Sequence, residues 1–209
     1  MGVKVLILNC TLRKSPQVST RDHLVMRVEN LYKKLNIKTE ILRPIDYFDN
    51  FDELLMKIKS CSILIIASPI YGEGQFFVAK MLFQKLREFS RSGPTLKDQY
   101  PLYHKIGGVI LTGNKEGFQE VAKDILFNLM KLGAIIPRYS DIYWVGENPA
   151  GVNYIEGGGD KNEYNEKRMK YLVQNTLYTA DLLDEYPVSP GAISFNELPE
   201  RDSYLPERR

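Results

Sequence analysis

The sequence predicts an α/β fold in which helices cover both faces of a doubly wound, five-stranded parallel sheet. Short, almost continuously apolar runs recur along the chain, as expected for strands that are buried on both faces. Between these runs, apolar residues recur at the helical period. Strand and helix alternate five times, which is typical of a parallel sheet with helices on both sides.

The composition indicates one domain with a small-molecule partner. The chain has 209 residues, of which 44% are apolar and 26% charged, enough for one sizeable core. The net charge is +2 with both signs interspersed, which argues against nucleic acid or a membrane surface as partner. No apolar run approaches the ~20 residues that cross a bilayer, and no signal-peptide pattern opens the chain. We therefore expect a cytoplasmic protein.

The predicted elements follow one another in simple order. Strands are predicted at residues 3–9, 39–42, 62–67 and 106–111, and helices at 21–36, 51–58, 78–89, 121–132 and 169–183. A fifth strand is expected to begin at Ala134 and to be interrupted by Pro137, with a possible continuation at residues 142–145. We place one domain at residues 1–186 and a proline-rich tail at 187–209, in which a long helix is forbidden.

Ligands of such sheets bind outside the carboxyl ends of the strands. Residues 9–20 form the first loop at such an end, and Thr11, Arg13, Ser19 and Thr20 give it hydroxyls and a guanidinium beside a helix N-terminus. The first N–H groups and the dipole of that helix favour an anion there. The alternative is an ordinary loop in which Ser19 or Thr20 is only an N-cap. The loop lacks G-x-G-x-x-G, which disfavours a glycine-rich dinucleotide fold.

Two further loops, residues 68–74 and 112–117, leave neighbouring strand ends. Candidate site residues in them are Ser68, Pro69, Ile70, Tyr71, Gly72, Thr112, Gly113, Asn114 and Gly117. Pro69 fixes one torsion, Gly72 lets backbone come close to a ligand, and Tyr71 can lie flat on a planar ring. Asn114 offers an amide to the edge of a heterocycle. Either loop could instead be only a turn.

The two cysteines are too few for a disulfide framework and lack metal-ligand spacing, so we predict no metal site. Cys61 is interpreted as a small buried hydrophobe. Cys10 lies beside the possible anion site, which could lower its pKa, but a structural role is favoured.

Together the loops resemble those of the flavodoxin-like NAD(P)H-dependent FMN reductases and quinone reductases, and the resemblance covers about residues 3–185. The family's first loop commonly reads G-S-x-R, followed by Ser or Asn and Thr, and here Asn9-Cys10-Thr11-Leu12-Arg13 with Ser19-Thr20 is similar to it. Its S/T-P-x-Y loop is matched by Ser68-Pro69-Ile70-Tyr71. Lys80 matches a family lysine, whereas Gln84-Lys85 replaces the family's Asp-Arg pair.

The resemblance implies a sheet of order 2-1-3-4-5 and FMN as cofactor. It implies that Thr11, Arg13, Ser19 and Thr20 hold the FMN phosphate. Residues 68–72 would then cradle the isoalloxazine, and residues 112–117 would close over its other edge. Among Arg43, Arg87 and Arg138, nothing in the sequence indicates which would select the 2′-phosphate of NADPH.

The function so implied is transfer of electrons from NADH or NADPH through FMN to a quinone, a flavin or another small acceptor, in a homodimer. FMN carries the hydride chemistry, so no catalytic side chain is assigned. One alternative is a flavodoxin-type electron carrier with a protein partner. Another is a flavin-free interaction module on the same fold.

Overall fold

The computed structural model describes residues 2–17, 22–71, 74–92, 101–113, 117–145, 154 and 157–187. The strands within these residues are β1 (Lys4–Asn9), β2 (Lys38–Leu42), β3 (Ile63–Tyr71), β4 (Gly74–Gln75), β5 (Ile106–Gly113) and β6 (Asp141–Val145). The α-helices are α1 (Asp22–Lys34), α2 (Phe51–Ser60), α3 (Phe77–Ser92), α4 (Phe118–Lys131) and α5 (Glu163–Glu185).

The long strands form a parallel sheet in the order β2-β1-β3-β5-β6. Since β4 is a two-residue strand that pairs only with the end of β3, this is the predicted 2-1-3-4-5 order of the main strands, which is confirmed. Asn9 of β1 pairs with Ala67 of β3, and Pro69 of β3 pairs with Thr112 of β5. The carboxyl ends of β1, β3 and β5 therefore lie side by side at one edge of the sheet.

Each face of the sheet has its own core, because successive side chains of a strand point to opposite faces. In β1, Leu6 and Leu8 pack in the cluster that includes α2, α3 and α4. Val5 and Ile7 pack in the cluster that includes α1 and α5. The sheet is thus covered on both faces, as the continuous apolar strands predict.

The predicted start of the fifth strand is wrong. Of the residues 134–136, only Ile135 makes a bridge, to Ile106, and it belongs to no strand. Pro137 has no N–H to extend a ladder, and Tyr139 turns the chain with φ 54°. The strand begins at Asp141, so the alternative continuation at residues 142–145 is the correct one.

Two further predictions concern membrane crossing and the C-terminal tail. Among the residues covered, no helix is both long and apolar enough to cross a membrane. Helix α5 ends at Glu185, and nearly all of the predicted tail at 187–209 lies outside the described residues.

Candidate functional site

The base of the loop after β1 is buried and fixed to the neighbouring strand. The Cys10 N–H donates to the carbonyl oxygen of Ala67 at 2.7 Å. Cys10 is buried, and burial raises the pKa of its thiol, whereas an adjacent anion site could have lowered it. The structural role of Cys10 stays a prediction. Thr11 is 1% exposed, and its Oγ1 accepts a hydrogen bond from the Arg13 N–H at 3.2 Å. The first turn of this loop therefore folds on itself.

The tip of the loop is held by two charged residues that follow β2. Nη1 of Arg43 donates to the carbonyl oxygens of Arg13, Lys14 and Gln17 at 3.2, 3.1 and 2.6 Å. The Asp46 carboxylate accepts from the Ser15 N–H at 3.2 Å and from the Ser15 hydroxyl at 2.7 Å. The loop is thus bonded on both sides to the segment that begins at Arg43.

A shared carboxylate connects this network to α1. Asp22, in the first turn of α1, accepts from Nη2 of Arg43 at 3.1 Å and from Nδ2 of Asn9 at 2.7 Å. The side chains of Arg43 and Asp22 are 12% and 20% exposed, so this ion pair is partly shielded from water. It joins the end of β1, the loop and the start of the helix.

The ends of β3 and β5 are held by close packing. A Cβ at Gly113 would lie 2.8 Å from Cβ of Ile70, closer than two such atoms can approach, so only glycine fits. Ser68 and Thr112 are 3% and 8% exposed. Gly117, with φ 106°, precedes α4 in the left-handed region that favours glycine. The ends of β3 and β5 are therefore packed closely against each other.

Several predicted site residues are brought together here. Thr11, Ser68, Pro69, Ile70, Thr112 and Gly113 lie at the same edge of the sheet, and Arg13 lies in the loop beside it. Ser19, Thr20, Gly72 and Asn114 lie outside the described residues, and for Tyr71 only the backbone, in β3, is described. Flavin contacts of all these residues stay predictions.

The network around the loop was missed from the sequence. Asp22 and Asp46 belong to no sequence motif, and the sequence suggests Arg43 only as a candidate ligand of a 2′-phosphate, whereas its guanidinium contacts the loop and Asp22. The one sequence signal that could have indicated this network is the presence of two charged residues, Arg43 and Asp46, on either side of Pro44 directly after a predicted strand.

An aromatic stack borders the far side of the site. Phe118, which follows Gly117, stacks on Tyr143 of β6 with ring centroids 3.6 Å apart and planes at 14°. Tyr143 is tilted against Tyr164 of α5 at 6.4 Å, and burial raises the pKa of Tyr143. The start of α4 is thereby fixed to the edge strand.

Known proteins that are similar to this chain include a flavin phosphate synthase. No protein-family profile matches the chain. It is 36% identical over 208 residues to 8-demethyl-8-aminoriboflavin-5'-phosphate synthase of Streptomyces davaonensis, across 90% of this chain and 80% of that protein. The crystal structure of RosB with bound 8-demethyl-8-formylriboflavin-5'-phosphate has a TM-score of 0.80 at 31% identity, covering 96% of this chain and 94% of that one.

A more distant structure matches the fold alone. The apo form of an NADH:FMN oxidoreductase has a TM-score of 0.61 at 12% identity and covers 90% of this chain and 94% of that one.

Proposed function

Since this chain belongs to the flavodoxin-like family of flavin enzymes that includes the Streptomyces 8-demethyl-8-aminoriboflavin-5'-phosphate synthase, we propose that it is an FMN-dependent oxidoreductase. It takes electrons from NADH or NADPH and passes them to a quinone, a flavin or another small acceptor. The observation that supports this best is the meeting of the ends of β1, β3 and β5 at one edge, beside a loop bonded to Arg43 and Asp46.

The described residues fit a flavin phosphate. Arg13 and Lys14 put two cationic side chains on the exposed part of the loop, and both nearby carboxylates, Asp22 and Asp46, already accept hydrogen bonds. A phosphate monoester suits such a loop because it takes charge-assisted hydrogen bonds from guanidinium and hydroxyl groups. We assign Thr11, Arg13, Ser19 and Thr20 to it.

The planar ring of the flavin is assigned to the packed strand ends. Residues 68–72 would cradle one side, and Thr112, Gly113, Asn114 and Gly117 would close over the other edge. The close packing of Gly113 against the Ile70 side chain suits this assignment, because it fixes the ends of β3 and β5 relative to each other where they would hold a rigid ring. FMN itself would supply the hydride-accepting chemistry. The residues position the ring and exclude water from it.

Flavin titration of the purified protein tests the site. We expect FMN to bind and the variant Arg13→Ala to lose roughly 10- to 100-fold in FMN affinity, because one charge-assisted hydrogen bond is lost. Riboflavin, which has no phosphate, should bind parent and variant alike. Arg138→Ala is the matched control, since that guanidinium lies over the Tyr139 ring, 4.9 Å from its centre. Equal FMN affinities for parent and Arg13→Ala would remove this loop from the site.

Turnover separates the reductase from a second candidate. The 36% identity to an aminoriboflavin phosphate synthase favours an enzyme for which the flavin phosphate is the substrate and is altered at position 8. A reductase consumes many equivalents of NADH or NADPH per flavin and leaves the mass of FMN unchanged. A flavin-modifying enzyme changes that mass. A flavodoxin-type carrier would bind FMN without such turnover, and a flavin-free module would be colourless.

The proposal also includes the assembly, location and boundaries predicted from the sequence. We propose a cytoplasmic homodimer, with residues 1–186 as the FMN-binding domain and 187–209 as an appended tail. Light scattering of the purified chain, with and without the tail, would measure the assembly. A mass of about 24.1 kDa for the full-length chain, together with a correspondingly smaller monomer mass for the chain without the tail, would contradict the homodimer.

A further inference from the structure

Arg43 is unusual because its guanidinium is directed at backbone carbonyls rather than at solvent. Three carbonyl oxygens of one short loop converge on Nη1, and Nη2 pairs with Asp22. The side chain is 12% exposed, so most of it is enclosed by these partners. Converging carbonyl dipoles repel one another, and a buried cation with several donors is the group that offsets this repulsion.

The direction of these carbonyls fixes the direction of neighbouring N–H groups. In a planar peptide the C=O of one residue and the N–H of the next point in opposite directions. With the Arg13 carbonyl held at 3.2 Å from Arg43, the Lys14 N–H points away from Arg43. The Lys14 carbonyl is held likewise, and the following Ser15 N–H is directed to Asp46 at 3.2 Å. Arg43 therefore sets which face of the loop presents donors.

We infer that Arg43 is a positioning residue for the loop at residues 10–17. It holds this loop from the side opposite the ligand, in the conformation that receives a flavin phosphate, and does not itself touch the ligand. This inference rests on the proposed function. It also assigns Asp22 a part, because Asp22 anchors the guanidinium to Asn9 and to the first turn of α1. Both terminal nitrogens of Arg43 donate to protein groups, so we assign Arg43 to the loop and not to a 2′-phosphate.

The test measures FMN and riboflavin affinities of the full-length parent, Arg43→Lys and Arg43→Met. We expect FMN affinity to fall roughly 10- to 100-fold in Arg43→Met, because the loop groups that would bond the phosphate lose their fixed orientation and a charge-assisted hydrogen bond is weakened. Arg43→Lys should fall less, since it keeps the charge but lacks the planar fork. Riboflavin affinity should change by less than about twofold, a pattern that a general loss of folding would not give. Arg138→Lys is the matched control.

Three further measurements separate positioning from stability. Asp22→Asn added to Arg43→Met removes the carboxylate charge that the Arg43 guanidinium balances in the parent, so it should raise the thermal midpoint and leave the FMN affinity low. The loss caused by Arg13→Ala should be smaller in the Arg43→Met background, because Arg13 is then already misplaced. Hydrogen exchange of the loop peptide without flavin should be slow in the parent and fast in Arg43→Met.

Each alternative result overturns the inference in a recognisable way. If the parent binds no FMN, the proposed function fails and the inference fails with it, even if loop exchange depends on Arg43. If the parent binds FMN but Arg43→Met binds it equally well, only the inference fails. If the variants keep FMN affinity and lose the preference between NADPH and NADH, Arg43 is a nucleotide ligand instead.

Discussion

The loop after β1 and the ends of β3 and β5 lie at the same edge of the sheet, but they are held there by different forces. Charged groups hold the loop tip, where Arg43 and Asp46 make the contacts. Close packing holds the strand ends, where Gly113 meets Ile70. Salt or substitution can weaken a polar contact by degrees, whereas a closely packed contact leaves no room for even one added methyl group. We therefore expect the region assigned to the phosphate to be adjustable and the region assigned to the ring to be rigid.

The largest effect is expected at the packed contact. Gly113→Ala places a Cβ 2.8 Å from Cβ of Ile70, and neither atom can rotate away because both are bonded to backbone. The strands must separate, and we expect the free energy of unfolding to fall by about 2–3 kcal/mol, as for other overpacked sites. Urea unfolding would measure this. Gly2→Ala, which meets nothing within 4 Å, is the control.

The unfolding measurement on Gly113→Ala tests whether the ends of β3 and β5 are more rigid than the loop after β1. A loss below about 0.5 kcal/mol, the size of an ordinary surface change, would mean that the ends of β3 and β5 yield as readily as the loop. The two regions would then not differ in rigidity.

An effect of intermediate size is expected at the buried base of the loop. Burial raises the pKa of Cys10, and it raises the pKa of Cys61 to about 12. An unfolded cysteine titrates near pH 8.5, so the folded state holds these protons more tightly. Their contribution to stability is complete below about pH 8.5 and is lost as the pH rises, by about 2 kcal/mol per thiol at pH 10.

Urea unfolding at pH 7 and pH 10 measures this loss. Because other groups also titrate in this range, the informative quantity is the difference between parent and Cys10→Ala. The variant should lose about 2 kcal/mol less than the parent between the two pH values. An equal loss in both proteins would mean that water reaches Cys10, and that the base of the loop is as open as its tip.

Much of the fold was predictable, because long apolar runs leave few alternatives to a buried strand. Strands β1 and β3 are buried on both faces, and each is an almost continuous apolar run. The start of β6 was misplaced because Ile135 and Ile136 are apolar but precede Pro137, and local pattern alone does not show where the ladder resumes.

The site was only partly predictable for a related reason. Arg13 comes four residues after the end of β1 and Gly113 is the last residue of β5, so their position at the strand ends follows from the fold. Arg43 reaches the Arg13 carbonyl across 30 positions of sequence, and nothing local to either residue indicates that contact. The partner of Gly113 is likewise visible only once β3 and β5 are paired.

The smallest effect is expected at the polar tip of the loop. Asp46→Ala removes the acceptor for the N–H and hydroxyl of Ser15, but both donors can turn to water because this part of the loop is exposed. We expect a loss of about 0.5–1 kcal/mol in the free energy of unfolding. Since the contact involves a charge, 1 M NaCl should reduce that loss by about half. Ser15→Ala, which removes only the hydroxyl, should cost less than Asp46→Ala, and the loss in Gly113→Ala should be the same at both salt concentrations. A salt-independent loss in Asp46→Ala would show that the tip, too, is held by packing.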